Sequence, residues 1–122
     1  MVGDERGIAL VKKAMKLYPF LPTAVNIMIA AHHFYRGEYE EALAATRRMS
    51  VSGFPFFTQI FLAASYAELG REDDAQVAVE ELLRLRPDYT IEKQTEWMRK
   101  NNLSEEKIGR MTAALRKARL PE

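Results

Sequence analysis

A 33-residue repeat in the middle of the chain constrains the fold more than any other feature of the sequence. Alanine recurs at this spacing in Ala30 and Ala63, and glycine in Gly37 and Gly70. The other pairs at the same spacing are Ile29 and Leu62, His33 and Tyr66, Ala42 and Ala75, and Met49 and Leu82. A fixed period of roughly 20 to 50 residues is typical of stacked repeats. Such stacks present extended binding surfaces, so the period favours recognition over catalysis.

Apolar residues at helical spacing predict helices, and no segment has the alternating pattern of a strand. The predicted helices span about 5–18, 23–36, 38–49, 56–69, 72–86, 90–100 and 104–119. Gly37 and Gly70 are each predicted to end a helix, because glycine readily adopts the left-handed conformation of a helix stop. The short connections predict antiparallel hairpins. The predicted fold class is therefore all-α.

The segment after Pro87 does not follow the period. Thr90 and Ser104 are residues that cap helix N-termini, so each is predicted to start a closing helix. The second of these helices has a single apolar stripe, made of Ile108, Met111, Leu115 and Ala118. Terminal repeats of a solenoid need a polar outer face, so both helices are interpreted as caps. Trp97 lies in this segment and fits either a capping residue or an anchor for a partner.

Composition narrows the classes of partner. A chain of 122 residues with 48% hydrophobic and 29% charged residues fits one folded domain. Eighteen basic residues against seventeen acidic ones argue against a nucleic-acid partner, which would favour a basic excess. Without a run of about 18 apolar residues or a secretory signal, the sequence predicts no membrane association. The absence of cysteine is compatible with the cytoplasm, where we expect the protein to reside.

The sequence predicts no catalytic site, cofactor or metal. Serines lack the surroundings of an activated nucleophile, and no glycine-rich phosphate loop is present. His32 and His33 are adjacent, and neighbouring residues of a helix point about 100° apart, so only one is predicted to face a given site. His33 is instead expected in the aromatic position between paired helices, with His32 at the helix surface. The chain is therefore predicted not to be an enzyme.

The second repeat resembles the tetratricopeptide (TPR) repeat, a helical hairpin. The residues that carry the resemblance are Leu62, Ala63, Tyr66, Gly70, Ala75, Leu82 and Pro87. The first repeat departs from the pattern, with His33 in place of the aromatic residue, Met49 in place of alanine and the closing proline displaced to Pro55. The resemblance implies a helical-hairpin solenoid, in which 23–55 and 56–88 are full repeats and 90–119 holds two capping helices.

Residues 5–19 resemble only the second helix of a repeat, with Ala14 and Pro19 in register. Such a half repeat exposes an apolar flank, formed here by Ile8, Val11 and Met15. The single domain 1–122 is therefore predicted to be part of a longer protein, or to be covered by another chain. Pairing of two copies through this flank would make it a homo-oligomerisation module.

Three runs, 66–71, 82–89 and 115–122, resemble the C-terminal TPR tails of bacterial, often rhizobial, class III adenylate/guanylate cyclase-like proteins. Arg119 replaces the glycine of the closing run in those tails. The resemblance implies a regulatory, scaffolding tail of a signalling protein, with a cyclase domain outside these residues. Similar tails occur on some winged-helix regulators, which is the alternative parent.

The resemblance also places a concave groove on the first helix of each repeat. The groove positions are Ile27, Ala31 and Phe34 in one repeat and Ile60, Ala64 and Ala67 in the next, with Phe57 near the rim. An apolar groove suits the apolar face of an amphipathic helix. The predicted occupant is a partner protein or peptide, or the chain's own C-terminal helix through Ile108, Met111 and Leu115.

Overall fold

The computed structural model describes residues 22–48 and 55–122. Its helices are α1 (Pro22–Phe34), α2 (Tyr39–Arg48), α3 (Pro55–Glu68), α4 (Glu72–Leu85), α5 (Ile91–Lys100) and α6 (Glu105–Lys117). The described ranges contain no strand, which confirms the all-α fold class. The predicted helix 5–18, with its apolar flank, and Met49 lie outside the described residues.

The helices α1 to α4 form two hairpins with the same turn. α1 packs on α2 and α3 packs on α4, and Gly37 and Gly70 both have positive φ angles between the paired helices. The amide that follows each glycine donates back into the preceding helix, over 2.9 Å to the His33 carbonyl and 2.8 Å to the Tyr66 carbonyl. This bond joins the residue after the glycine to the last turn of the helix, as in a Schellman motif. The predicted glycine stops are confirmed.

The 33-residue period also places equivalent alanines at the centre of each hairpin. Ala30 and Ala42 in the first hairpin, and Ala63 and Ala75 in the second, expose no more than 1% of their surface. Small side chains at these positions allow the paired helices to approach closely. α3 also contacts both α1 and α2, so the second hairpin stacks on the first.

The last two helices do not continue this arrangement. α5 packs on α6, and α6 packs on α3. The Thr90 hydroxyl accepts the Lys93 amide at 3.1 Å, and the Ser104 hydroxyl accepts the Lys107 amide at 3.2 Å. Each hydroxyl satisfies one of the amides that a helix N-terminus leaves without an intrahelical partner. The predicted starts of both helices are confirmed.

The segment after α6 returns to the beginning of α5. The Ile91 amide donates to the Pro121 carbonyl at 2.8 Å, and the Glu92 amide donates to the Glu122 carbonyl at 3.1 Å. Leu120 is 97% buried beside this contact point. Pro121 and Glu122 therefore cap α5 with their main-chain carbonyls, in addition to its Thr90 side-chain cap.

One continuous cluster of buried apolar residues joins the hairpins to α5 and α6. Its largest fully buried members are Phe34, Ile60, Leu82, Met98, Met111 and Leu115. In the two described ranges, no helix combines the length and apolar character that crossing a bilayer requires.

Candidate functional site

The structure divides the predicted groove residues into buried and partly exposed positions. Phe34 and Ile60 are each 1% exposed, and Ala64 is fully buried. The other four predicted positions are only partly buried, and these are Ile27, Ala31, Phe57 and Ala67. Only the second group is accessible to a partner in this conformation.

Helix α6 packs on α3, the helix that carries most of the predicted groove. Ile60 and Ala64 belong to the same buried cluster as Ile108, Met111 and Leu115 of α6. A bound helix would need to reach Ile60 and Ala64, and α6 already packs on the helix that carries them. Of the two occupants that the sequence predicts, a partner or the chain's own C-terminal helix, the contact between α6 and α3 favours the second.

Polar contacts fix α6 at the ends of the neighbouring helices. The Lys117 ammonium lies 2.7 Å from the Glu68 carboxylate, and Glu68 also bonds to the Tyr39 hydroxyl. The Lys107 ammonium lies 5.4 Å from the centre of the Tyr35 ring. Burial, and after it the charge of Glu68, raises the pKa of Tyr39. These contacts join α6 to the ends of α1 and α3 and to the start of α2.

A second concave surface lies between the start of α3 and α5. This aromatic cleft has a volume of about 440 Å³ and is lined by Phe56, Phe57, Arg86, Asp88, Tyr89, Lys93 and Trp97. The Arg86 guanidinium carbon lies 4.0 Å from the centre of the Phe56 ring, which is cation–π geometry. The Phe57 and Trp97 ring centres are 5.3 Å apart, and Trp97 is 42% exposed.

The sequence predicts Phe57 at a groove rim but does not indicate its contact with Trp97. The two residues are 40 positions apart, and Trp97 lies in the segment that does not follow the 33-residue period. No spacing rule links them. Trp97 contacts Phe57 and remains partly exposed, which fits both predicted roles, a capping residue and an anchor for a partner.

A cluster of potential metal ligands forms where α1 ends. His33 Nδ1 and Glu38 Oε1 are 2.8 Å apart, and the His32 and His33 ring centres are 5.1 Å apart. Ligand atoms of His32, His33 and Glu38 all lie within 4.8 Å of one another. The hydrogen bond with His33 is the main reason that the pKa of Glu38 is lowered.

The sequence predicts that only one of the two adjacent histidines faces a given site, yet ligand atoms of both lie within 4.8 Å of each other. The chain turns back after Gly37, and this turn brings Glu38 beside both rings. The side chain of His33 is 21% exposed.

No protein-family model, no curated protein and no solved structure matches this chain.

Proposed function

We propose that this chain is a non-catalytic protein–protein interaction module of the TPR type. The observation that carries the proposal is the structural repeat of two helical hairpins, with equivalent glycine turns and equivalent buried alanines 33 residues apart. Stacked hairpins of this kind provide surfaces for partner segments rather than reaction centres. In this proposal the groove on α1 and α3 receives an apolar helix.

Helix α6 occupies the groove when no partner is bound. It has the features that an occupant needs, since one face carries Ile108, Met111 and Leu115 in the buried cluster. Its other face carries exposed charges, including Arg116 and Lys117. A partner helix of the same amphipathic character would compete with α6 for the groove. The apparent affinity for the partner would then depend on how often α6 leaves the groove.

The resemblance of the closing runs to cyclase-like tails extends the proposal to the parent protein. The module then acts as the regulatory tail of a bacterial, cytoplasmic signalling protein such as an adenylate cyclase. The gene upstream of the Met1 codon tests this extension. An in-frame nucleotide cyclase domain would support it, and a winged-helix domain would point to the alternative parent.

A binding experiment in trans tests the groove. The probe is a fluorescently labelled peptide of residues 104–122, added to full chains in which the resident α6 is intact or weakened. Leu115 is fully buried and Ala113 is exposed on the same helix, so Leu115→Glu weakens α6 while Ala113→Glu adds the same charge without disturbing packing. Leu115→Ala is the milder alternative if the charged variant unfolds.

We expect fluorescence anisotropy to show peptide binding to the Leu115 variants and none to the wild type or Ala113→Glu. Adding Ala67→Glu, at a groove position that is only partly buried, to Leu115→Ala should remove that binding while the helical circular dichroism persists. If well-folded Leu115 variants bind no peptide, the groove is not a receptor for an amphipathic helix.

A further inference from the structure

Two imidazoles and one carboxylate meet at the turn between α1 and α2, and they serve no role in the proposed helix-binding groove. We propose that His32, His33 and Glu38 form a binding site for one zinc ion. The inference is independent of the interaction function, because these side chains are not groove residues. It rests on the geometry of the turn, the types of donor atom and the partial exposure of the cluster.

The backbone of the turn brings the donors together. Gly37 has a φ of 78°, and the Glu38 amide donates to the His33 carbonyl at 2.9 Å. Glu38 therefore returns to the last turn of α1, where both histidines lie. The two helix-borne donors and the turn-borne donor approach from different directions, which a single straight helix could not provide.

The distances are close to those of a zinc site. Zinc bonds of about 2.0–2.1 Å to nitrogen and oxygen in tetrahedral geometry place neighbouring ligand atoms about 3.3 Å apart. His33 Nδ1 and Glu38 Oε1 are 2.8 Å apart, and the whole set lies within 4.8 Å. The proposal requires the three side chains, which are only partly buried, to rotate slightly to reach coordination distances.

The types of ligand atom in this cluster favour zinc over other cations. Two imidazole nitrogens with one carboxylate oxygen suit zinc, whereas magnesium and calcium prefer oxygen ligands throughout. Three protein ligands leave the fourth tetrahedral position to water, and the exposure of Glu38, 38% for its side chain, gives that water access. The ion would replace the direct hydrogen bond between His33 Nδ1 and Glu38 Oε1.

The positive charge of the neighbouring Arg36 side chain disfavours binding of a zinc ion. The Arg36 Nε lies 3.5 Å from Glu38 Oε1, and its side chain is 37% exposed. Zinc would therefore bind as the guanidinium turns away toward solvent. The loss of that surface ion pair is a small cost, since exposed pairs contribute little to stability.

Isothermal titration calorimetry of the full chain with zinc chloride tests the proposal, and magnesium chloride serves as the control ion. We expect one zinc ion per chain, no magnesium binding and a zinc-dependent rise in the melting temperature. Glu38→Gln and His32→Ala should each weaken zinc binding by at least about tenfold. Glu40→Gln removes a nearby exposed carboxylate outside the cluster and should leave zinc binding unchanged.

Three results would overturn the proposal. The first is the absence of any heat of zinc binding together with an unchanged melting temperature. The second is wild-type zinc affinity in both Glu38→Gln and His32→Ala. The third is a stoichiometry of one zinc ion per two chains. Both test variants alter side chains that are at least partly exposed, so their folding can be checked by circular dichroism before titration.

Discussion

Gly37 and Gly70 have nearly identical left-handed backbones, with φ angles of 78° and 76°, although they lie 33 residues apart. A side chain at either position would be strained by the backbone itself. Gly109, in contrast, lies inside α6, has no such angle, and a methyl group added to it would meet nothing within 4 Å. Replacing each of the three glycines with alanine should therefore affect the free energy of unfolding differently.

Gly37→Ala and Gly70→Ala should each lower the free energy of unfolding by about 1–2 kcal/mol, the cost of a left-handed residue that carries a Cβ. Gly109→Ala should raise it by about 0.5–1 kcal/mol, because alanine loses less entropy than glycine in a helix. Urea denaturation measures all three. A stabilising effect of alanine at position 37 or 70 would contradict the described turns.

The buried cluster predicts a contrast between two side chains of α4. Leu82 is fully buried and Val77 is 64% exposed. Leu82→Ala should lower the free energy of unfolding by about 2–5 kcal/mol, through lost apolar burial and a residual cavity. Val77→Ala should change it by less than about 0.5 kcal/mol. Thermal or chemical denaturation of both variants checks the contrast, and similar losses would place Val77 in a contact absent from this structure.

The N-cap of α5 predicts a difference between two conservative substitutions. Thr90→Ala removes the hydroxyl that accepts the Lys93 amide and should cost about 1 kcal/mol of stability. Thr90→Ser keeps that acceptor and should have a much smaller effect. Chemical denaturation of both variants provides the measurement, and equal losses would show that the hydroxyl does not act as a cap.

We expect the protein to lose stability at alkaline pH as Tyr89 ionises. Burial raises its pKa to about 12, above the value of about 10 expected in an unfolded chain. The folded protein thus keeps a proton that the unfolded chain loses, so its stabilising contribution is complete below pH 10 and falls between pH 10 and 12.

Denaturation midpoints measured across this pH range test the prediction. Tyr89→Phe should be less stable at neutral pH, because the buried Gln94 side chain loses the hydroxyl donor. It should also show a shallower decline above pH 10. An unchanged pH dependence in this variant would mean that Tyr89 ionises equally in both states.

The helices and turns could be predicted because their signals are local. Thr90 and Ser104 cap helices that begin one residue later. Gly37 and Gly70 lie in the turns that directly follow α1 and α3, and their positive φ angles end these helices. These features depend on residues a few positions apart, where hydrogen-bonding and backbone rules act directly.

The accessibility of the candidate surfaces could not be predicted in the same way. Ile60 and Leu115 share a buried cluster across 55 residues, and only tertiary packing decides that α6 lies on α3. The meeting of His32 with Glu38 depends on how tightly the chain turns after α1, which a helical wheel leaves out.

The main-chain bonds from Ile91 and Glu92 to Pro121 and Glu122 make α5, α6 and their connections a closed loop. α5 packs on α6, and the α6–α3 contact joins this loop to the hairpins. In native-state hydrogen exchange, the amides of Ile91 and Glu92 should therefore open together with those in the middle of α6, with a common free energy. Residues 90–122 would then behave as one cooperative folding unit that can separate while the two hairpins remain folded.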